Sequence, residues 1–307
     1  MTGFTSTGLL SLLHRVLEAA DPGLTRGIDR ADPMDRAITS EAAKRSLIDR
    51  AMTAHGPGLL LRVGLHLDEA DETPVLTVLR RSPDPQVIAA KWMRLERYHH
   101  AAHRTVIDIA APGLWRCRRH SETTPASLGE NLLIAGILFG LLKLAGLRPE
   151  TLEIGGHLLH PDFRGADPGR TDGACFSIRW SGSSRDAALP RPRADRLSDR
   201  LTDLLAADPG RSWRIDDAAA PLALSRRSLQ RKLAAEGRSF STLLRRARMR
   251  EAVRLLGQDR AGLADIGYCC GYADQAHFHR DFRRAANMTP KTFRAIAARD
   301  QIGAIVQ

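Results

Sequence analysis

A pattern of two short helices joined by a tight turn occurs twice in the last third of the chain, at residues 216–237 and 263–287. In each copy the second helix begins after a side chain that suits an N-cap, Ser225 or Asp274. Two apolar residues four apart then share the inner face of that helix. They are Leu229 and Leu233 in the first copy and Phe278 and Phe282 in the second. Because capping and inner positions both correspond, the pattern predicts a duplicated, purely helical unit.

The free face of each second helix carries polar side chains. Arg231 stands two residues after Leu229, as Arg280 stands two residues after Phe278. Two short helices with a tight turn are typical of the helix-turn-helix, whose second helix enters the major groove of DNA. There a guanidinium group can bond guanine and a carboxamide can bond adenine. The side chains that the first copy offers are Arg227, Ser228, Gln230 and Arg231.

A single long helix is predicted between the two copies, over residues 239–257, with Ser239 or Ser241 as its cap. Some 17 residues at about 1.5 Å each give roughly 25 Å. A rigid helix of that length can hold two recognition helices about one duplex turn apart, on the order of 34 Å. One side of it carries a ridge of arginines, which either contacts phosphates or is simply solvated: Arg245, Arg246, Arg248 and Arg250.

The excess positive charge of the chain lies in the same region. Residues 191–307 hold 23 Lys and Arg against 13 Asp and Glu, a net charge of +10. Residues 1–190 hold 23 against 22, a net charge of +1. Such an asymmetry points to a polyanionic partner for the C-terminal part, most often nucleic acid.

The first part of the chain has mixed periodicity and predicts an α+β domain over residues 1–180. Residues 181–196, rich in Ser, Pro, Arg and Asp, are typical of a linker to a helical domain at 197–299. Helices are expected at 9–20, 34–53, 84–103 (capped by Asp84, with Pro85 first) and from Pro125 to about 145; strands are expected at 59–69, 74–82, 105–111, 114–120, 152–159 and 175–181. In the last helix, Gly136 and Gly140 would let another helix approach closely.

A histidine-rich stretch raises an alternative function. If residues 84–103 are helical, His99 and His103 share a face near Glu96 and His100, as a pair of zinc ligands would. The other interpretation is an interfacial or surface histidine cluster, since no motif supplies a third ligand. His157 and His160 near Asp162 leave the same choice. The zinc interpretation predicts a metal-dependent enzyme domain fused to the helical unit; the other predicts no metal, cofactor or catalytic residue.

Several classes of protein find no support in the sequence. It contains no GxxxxGK[ST] phosphate-binding loop, no GxSxG elbow and no GxGxxG that opens a helix after a strand. Cys117, Cys175, Cys269 and Cys270 form no CxxC pair, so buried free thiols in a reducing cytoplasm are expected. The longest apolar run, residues 132–142, is too short for a membrane span, which needs about 20 residues.

Residues 271–294 resemble the signature of the AraC/XylS-type transcription regulators. The matching residues are Gly271-Tyr272, Asp274, Phe278-His279-Arg280-Asp281-Phe282 and Thr289-Pro290-Lys291-Thr292-Phe293-Arg294. The resemblance extends over about residues 197–298 and implies a DNA-binding domain of seven helices with two helix-turn-helix motifs. Three positions depart from the pattern: Asn287 and Ala223 stand where glycine is usual, and Pro221 falls within the first motif.

The resemblance also implies which side chains read bases and what the partners are. Position by position it selects Arg227, Gln230 and Arg231 in the first motif, and Gln275, Ala276, His277, His279 and Arg280 in the second. His277 and His279, two apart on a helix, cannot both face one groove edge. The family implies an operator in double-stranded DNA, RNA polymerase, transcriptional activation and a homodimer. More weakly, the order of segments before residue 180 resembles the arabinose-binding-type sensor domain, which implies a small-molecule effector of unknown identity.

Overall fold

The computed structural model describes residues 4–80, 84–100, 102–121, 124–183, 196–258 and 261–297. The chain divides into two compact units: Met1–Asp71 with Val78–Ala188, and Glu72–Thr77 with Leu189–Gln307. Most of the predicted linker at 181–196 lies outside the described residues, and so do residues 298–299 of the predicted C-terminal domain. None of the helices in the described ranges is long and apolar enough to span a membrane.

The first unit combines helices with antiparallel sheets, as the mixed periodicity predicted. Its helices are α1 (Thr7–Ala20), α2 (Glu41–His55), α3 (Pro57–Arg62), α5 (Pro85–His99) and α6 (Leu128–Leu144), together with the last three residues of α4 (Pro74–Arg80). Strands β1 (Phe4–Ser6) and β2 (Ile38–Ser40) form a short pair. Strands β3 (His103–Ala111), β4 (Leu114–Ser121), β5 (Leu147–Ile154), β6 (His157–Leu159) and β7 (Cys175–Ser183) form a sheet in the order β3-β4-β7-β5-β6.

Helix α6 is the centre of this unit, and its sequence accounts for both its start and its burial. Ser127 accepts a hydrogen bond from the Glu130 amide, and the Glu130 carboxylate accepts one from the Ser127 amide, so a capping box begins the helix three residues after the predicted Pro125. Residues 129–142 are buried on every side. An apolar helix without a polar face is expected where other elements surround it.

The predicted strands at 59–69 and 74–82 are wrong, because the described part of both segments is helical. Helix α3 and a 3₁₀ turn at Val63–Glu69 pack against α6 through glycine. A Cβ placed on Gly64 would lie 1.7 Å from the carbonyl oxygen of Gly136, and one on Gly140 would lie 1.9 Å from that of Gly64. The close approach expected at Gly136 and Gly140 is thus confirmed. Residues 59–61, 63, 64 and 67 are buried, and so short an apolar segment does not distinguish strand from helix.

The strand predicted at 152–159 is wrong as a single strand, because the chain turns at Gly155 and Gly156 and β6 pairs antiparallel with β5. The other predicted elements of this unit match the structure apart from their ends. The Asp84 carboxylate caps α5 by accepting from the Gln86 amide, as predicted. That helix ends at His99 rather than 103, and β3 begins at His103. The helix predicted at 34–53 begins only at Glu41, since Ile38–Ser40 is strand β2. Buried thiols were expected throughout, but Cys175 and Cys269 are exposed.

The described residues 196–297 of the second unit hold seven α-helices, which agrees with the number implied by the family resemblance. They are α7 (Leu197–Ala207), α8 (Ile215–Ala219), α9 (Arg226–Ala235), α10 (Phe240–Gln258), α11 (Leu263–Cys269), α12 (Gln275–Ala286) and α13 (Pro290–Ala297). One apolar cluster joins α7, α8, α9 and the first half of α10. A second joins α12 to α13 through ring contacts of Phe282 with Phe278 and Phe293.

The two positions that depart from the family's glycines adopt the left-handed backbone that glycine favours. Asn287 has φ 53° and ψ 23°, and Ala223 has φ 55° and ψ 39°. Asparagine tolerates this region, whereas alanine pays about 1–2 kcal/mol there because its Cβ crowds the following carbonyl. The first helix of this motif is short where Pro221 follows it: α8 ends at Ala219, and residues 220–222 form a 3₁₀ turn.

We therefore expect Ala223→Gly to stabilise the second unit. Relief of the backbone strain exceeds the larger unfolded-state entropy of glycine, so the gain is about 0.5–1 kcal/mol. The matched control is Ala234→Gly on exposed α9, where glycine sits in a right-handed helix and costs about 1 kcal/mol. Urea unfolding monitored by hydrogen exchange of the α8 and α9 amides measures both. Equal losses of stability in the two variants would contradict the assignment of strain to Ala223.

Candidate nucleic-acid interface

Helix α9 presents a polar face opposite an apolar one, as its sequence predicts. The Oγ of Ser225 accepts from the Ser228 amide at 3.2 Å and begins the helix. Leu229 and Leu233 are buried in the apolar cluster, which fixes the rotation of the helix. The side chains on the other face, Arg227, Gln230 and Arg231, are exposed. Ser228 is only half-buried, and its Oγ accepts from the Ser225 hydroxyl at 3.1 Å, so it belongs to the cap.

Helix α12 repeats this arrangement. The Asp274 carboxylate accepts from the His277 amide at 2.6 Å, and Phe278 and Phe282 are fully buried. Four of the five predicted residues are exposed: Gln275, Ala276, His277 and Arg280. The fifth, His279, is half-buried, and its Nε2 is buried with no hydrogen-bond partner among the described atoms. Of the two histidines that could not share one groove edge, His277 therefore faces solvent.

The predicted arginine ridge of α10 is not a simple solvated face. Arg245, Arg246, Arg248 and Arg250 are all half-buried. The Nε of Arg245 lies 3.4 Å from Oδ1 of Asp281, and the guanidinium of Arg248 lies 6.0 Å from the centre of the Tyr272 ring. The ridge thus packs partly against the element that carries the second set of predicted side chains.

Asp281 is a site residue that the sequence prediction missed. It is 8% exposed and accepts a 2.9 Å hydrogen bond from the Tyr272 hydroxyl in addition to its ion pair with Arg245. Burial and the neighbouring Asp281 charge raise the pKa of Tyr272, so the phenol remains a donor. One signal was available: Asp281 lies on the apolar stripe of α12 at helical spacing from Phe278 and Ala285, where a carboxylate needs a partner.

The histidine stretch of the first unit is neither a zinc pair on one helix face nor a surface cluster. His99, His100 and His103 are buried, and His103 lies on β3 while His99 ends α5. Glu96 turns instead to Thr105, accepting from its amide at 2.6 Å and its hydroxyl at 2.9 Å. His157 and His160 are exposed, and His160 contacts Asp162 at 3.0 Å.

A different buried cluster brings possible metal ligands together. Ligand atoms of Glu41, His103 and Glu130 lie within 4.8 Å of one another. The Nζ of Lys44 lies 3.2 Å from Glu41 and 2.9 Å from Glu130, so its ammonium stands where an ion would have to bind both carboxylates. The Nε2 of His103 is within 3.1 Å of the Thr124 carbonyl oxygen. This donor set is that of an internal ion pair and does not fit the three-ligand site of a catalytic zinc.

We expect acid to destabilise the first unit through His100. Burial, together with the positive charges of Lys44 and Arg119, holds its pKa well below the usual value. Below about pH 6.5 the imidazole of His100 therefore takes up a proton in the unfolded chain but stays neutral in the folded chain. The free energy of unfolding then falls as the pH drops, by at most about 1.4 kcal/mol per pH unit. The slope of unfolding free energy between pH 7 and pH 5.5 should be smaller in His100→Gln.

The difference between wild type and variant is the quantity to measure, because another group acts in the opposite direction. Burial raises the pKa of Glu96, so its carboxyl group takes up a proton at a higher pH in the folded chain than in the unfolded chain. This group therefore stabilises the folded state as the pH falls. Glu96 is present in wild type and in His100→Gln, so its contribution cancels when the two slopes are subtracted. His157→Gln, at an exposed position of β6, is the control and should keep the wild-type slope. Identical slopes in all three proteins would refute the role of His100.

Comparison with known proteins places the similarity in the second unit. Residues 218–296 match a family model described as a helix-turn-helix domain. The urease operon transcriptional activator of Escherichia coli is 36% identical over 94 residues, which are 31% of this chain and 32% of that protein. The transcriptional regulator SirC of Salmonella typhimurium is 34% identical over 95 residues, 31% of this chain and 32% of its own. The chain thus matches about a third of the length of these relatives.

Two further similarities have a different extent. The HTH-type transcriptional regulator AdiY of Escherichia coli is 27% identical over 154 residues, 49% of this chain and 61% of that protein. A solved AraC-type transcriptional regulator from Chromobacterium violaceum is 30% identical, with a TM-score of 0.31; the match covers 33% of this chain and 90% of the solved one.

Proposed function

We propose that this chain, whose second unit carries an AraC-type helix-turn-helix domain, is a sequence-specific DNA-binding regulator of transcription. The observation that supports this most directly is the exposed face of α12, where Gln275, His277 and Arg280 project from a helix fixed by the buried rings of Phe278 and Phe282. A rigid helix with exposed amide, imidazole and guanidinium groups suits direct readout in the major groove.

The proposal includes both helical pairs as helix-turn-helix motifs. In it, α9 reads one major-groove segment with Arg227, Gln230 and Arg231, and α12 reads the next. Helix α10 joins them, and its 19 residues correspond to about 28 Å at 1.5 Å per residue. That is compatible with two contacts about one helical turn apart, on the order of 34 Å. Ser228 and His279 contribute less, because one is held at the cap and the other is half-buried.

We assign different functions to the two parts of the chain because their net charges differ. Residues 1–180 sense an effector and dimerise, residues 181–196 are a linker, and residues 197–299 bind DNA. A net charge near zero suits the first part to a small molecule or a second copy rather than to DNA. An effector that prefers one conformation shifts the population that binds DNA. Activation, and with it contact to RNA polymerase, is supported by one relative being named a transcriptional activator.

Selection from random duplexes tests the proposal. The full chain is incubated with a random-sequence pool, and the enriched sequence is compared with an unrelated duplex at a fixed salt concentration. A specific regulator should prefer its selected site by about 10³-fold or more. Enrichment of no sequence, with salt-dependent binding to all duplexes alike, would mean that the chain binds DNA only through its charge.

A further inference from the structure

We propose that a cavity between the first turns of α10 and helix α12 is a seat for one backbone phosphate of the DNA, an inference that rests on the proposed function. The cavity has a volume of about 300 Å³. Four of its lining residues are arginines, against a single carboxylate, that of Asp281: Arg245, Arg248, Arg280 and Arg284. Its net charge is therefore positive, and an anion is the group it suits.

The arginines of this cavity are differently engaged. Arg245 is held by Asp281 at 3.4 Å, which neutralises the one acidic group present. Arg280 and Arg284 are exposed and have no ionic partner within the described residues. The Nε of Arg248 is buried and has no hydrogen-bond partner there. Guanidinium groups with unused donors are the usual ligands of phosphate oxygens, because their planar fork can donate two parallel hydrogen bonds.

The position of the cavity favours a phosphate of the duplex over a free anion. His277 and Arg280, two of the proposed base-reading residues, also line it. A group bound in the cavity therefore lies beside side chains that would reach base edges. When a recognition helix enters the major groove, neighbouring elements contact the phosphates that border the groove and fix the helix's register. The start of α10, which supplies Ser241 and Arg245 to the cavity, is such an element.

The test combines a neutral phosphate analogue with a charge variant. In the selected duplex, each phosphate is replaced in turn by an uncharged methylphosphonate, and binding is measured for wild type and for Arg284→Gln. One phosphate position should lower the affinity of wild type by about tenfold, the size of a charge-assisted hydrogen bond. At that position alone, the methylphosphonate should change the affinity of Arg284→Gln very little. The slope of log K against log salt should fall by about 0.9 in the variant.

Arg283→Gln is the matched control, since Arg283 is exposed on the same helix and does not line the cavity. It should keep the tenfold loss at the same phosphate. Suppose that wild type binds its selected site and that Arg284→Gln is weaker than wild type by the same factor on every methylphosphonate duplex. The proposal of a phosphate seat would then be wrong, and the regulator proposal would stand. Inorganic phosphate that binds wild type but not Arg284→Gln, without coupling to any DNA phosphate, would likewise overturn it in favour of a free anion. Failure of wild type to select any sequence would overturn both proposals.

Discussion

Lys44→Met is expected to lower the free energy of unfolding of the first unit by about 3–5 kcal/mol, because it removes the cation between two buried carboxylates and leaves Glu130 without an ion pair among the described residues. The side chain of Lys44 is 5% exposed, and those of Glu41 and Glu130 are 9% and 6% exposed. Methionine fills nearly the same volume and avoids a cavity, so the loss reports on the missing charge. Urea unfolding with hydrogen exchange of amides in α2 and α6 measures it for this unit alone.

The neighbouring residue provides the control. Arg45 pairs with the same carboxylate, Glu41, at 3.1 Å, but its side chain is 53% exposed. Solvent screens that pair, so Arg45→Met should cost only about 0–1 kcal/mol. The double variant Lys44→Met, Glu130→Gln also removes the buried negative charge of Glu130 and should recover part of the lost stability. Similar small losses for Lys44→Met and Arg45→Met would show that the buried cluster stabilises this unit no more than a surface pair does.

Local chemistry made much of the second unit predictable from sequence. Ser225 and Asp274 cap the helices that they were expected to cap, because a short oxygen-bearing side chain satisfies amides that have no partner inside the helix. Spacing of four placed Leu229, Leu233, Phe278 and Phe282 inside. Both features depend on residues within one turn of each other, and that information is present in the sequence.

Which distant residues pack against or pair with one another was not predictable. The strand expected at 59–69 is a helix and a 3₁₀ turn in the structure, where Gly64 packs against Gly136, a residue far along the chain. An apolar segment as short as 59–67 does not show which of the two structures it forms. The ion pair of Lys44 with Glu130 and that of Arg245 with Asp281 likewise join separate helices. Spacing along the chain carries no record of such pairs. The pair Gly136 and Gly140 and the place of Asp281 on an apolar stripe indicated that a partner exists, but not which residue it is.

The largest functional effects are expected for two exposed arginines of the proposed recognition helices, Arg231 and Arg280. Arg231→Ala and Arg280→Ala should each reduce affinity for the selected duplex by about 10–100-fold, because a guanidinium that reads a base edge contributes about 1–3 kcal/mol of discrimination. Affinity for unrelated DNA should fall much less. The two residues lie on different helices, α9 and α12, so their effects should add in free energy, giving about 10²–10⁴-fold for the double variant.

Arg283→Ala distinguishes base reading from a general loss of charge, since it removes one exposed arginine from α12 outside the proposed reading set. It should weaken binding to selected and unrelated duplexes by the same small factor and lower the salt slope. Titrations of each variant against both duplexes at one salt concentration give the ratio of affinities. If Arg280→Ala and Arg231→Ala leave that ratio at the wild-type value, these arginines contact phosphates, and sequence is read by the remaining exposed side chains: Arg227, Gln230, Gln275, Ala276 and His277.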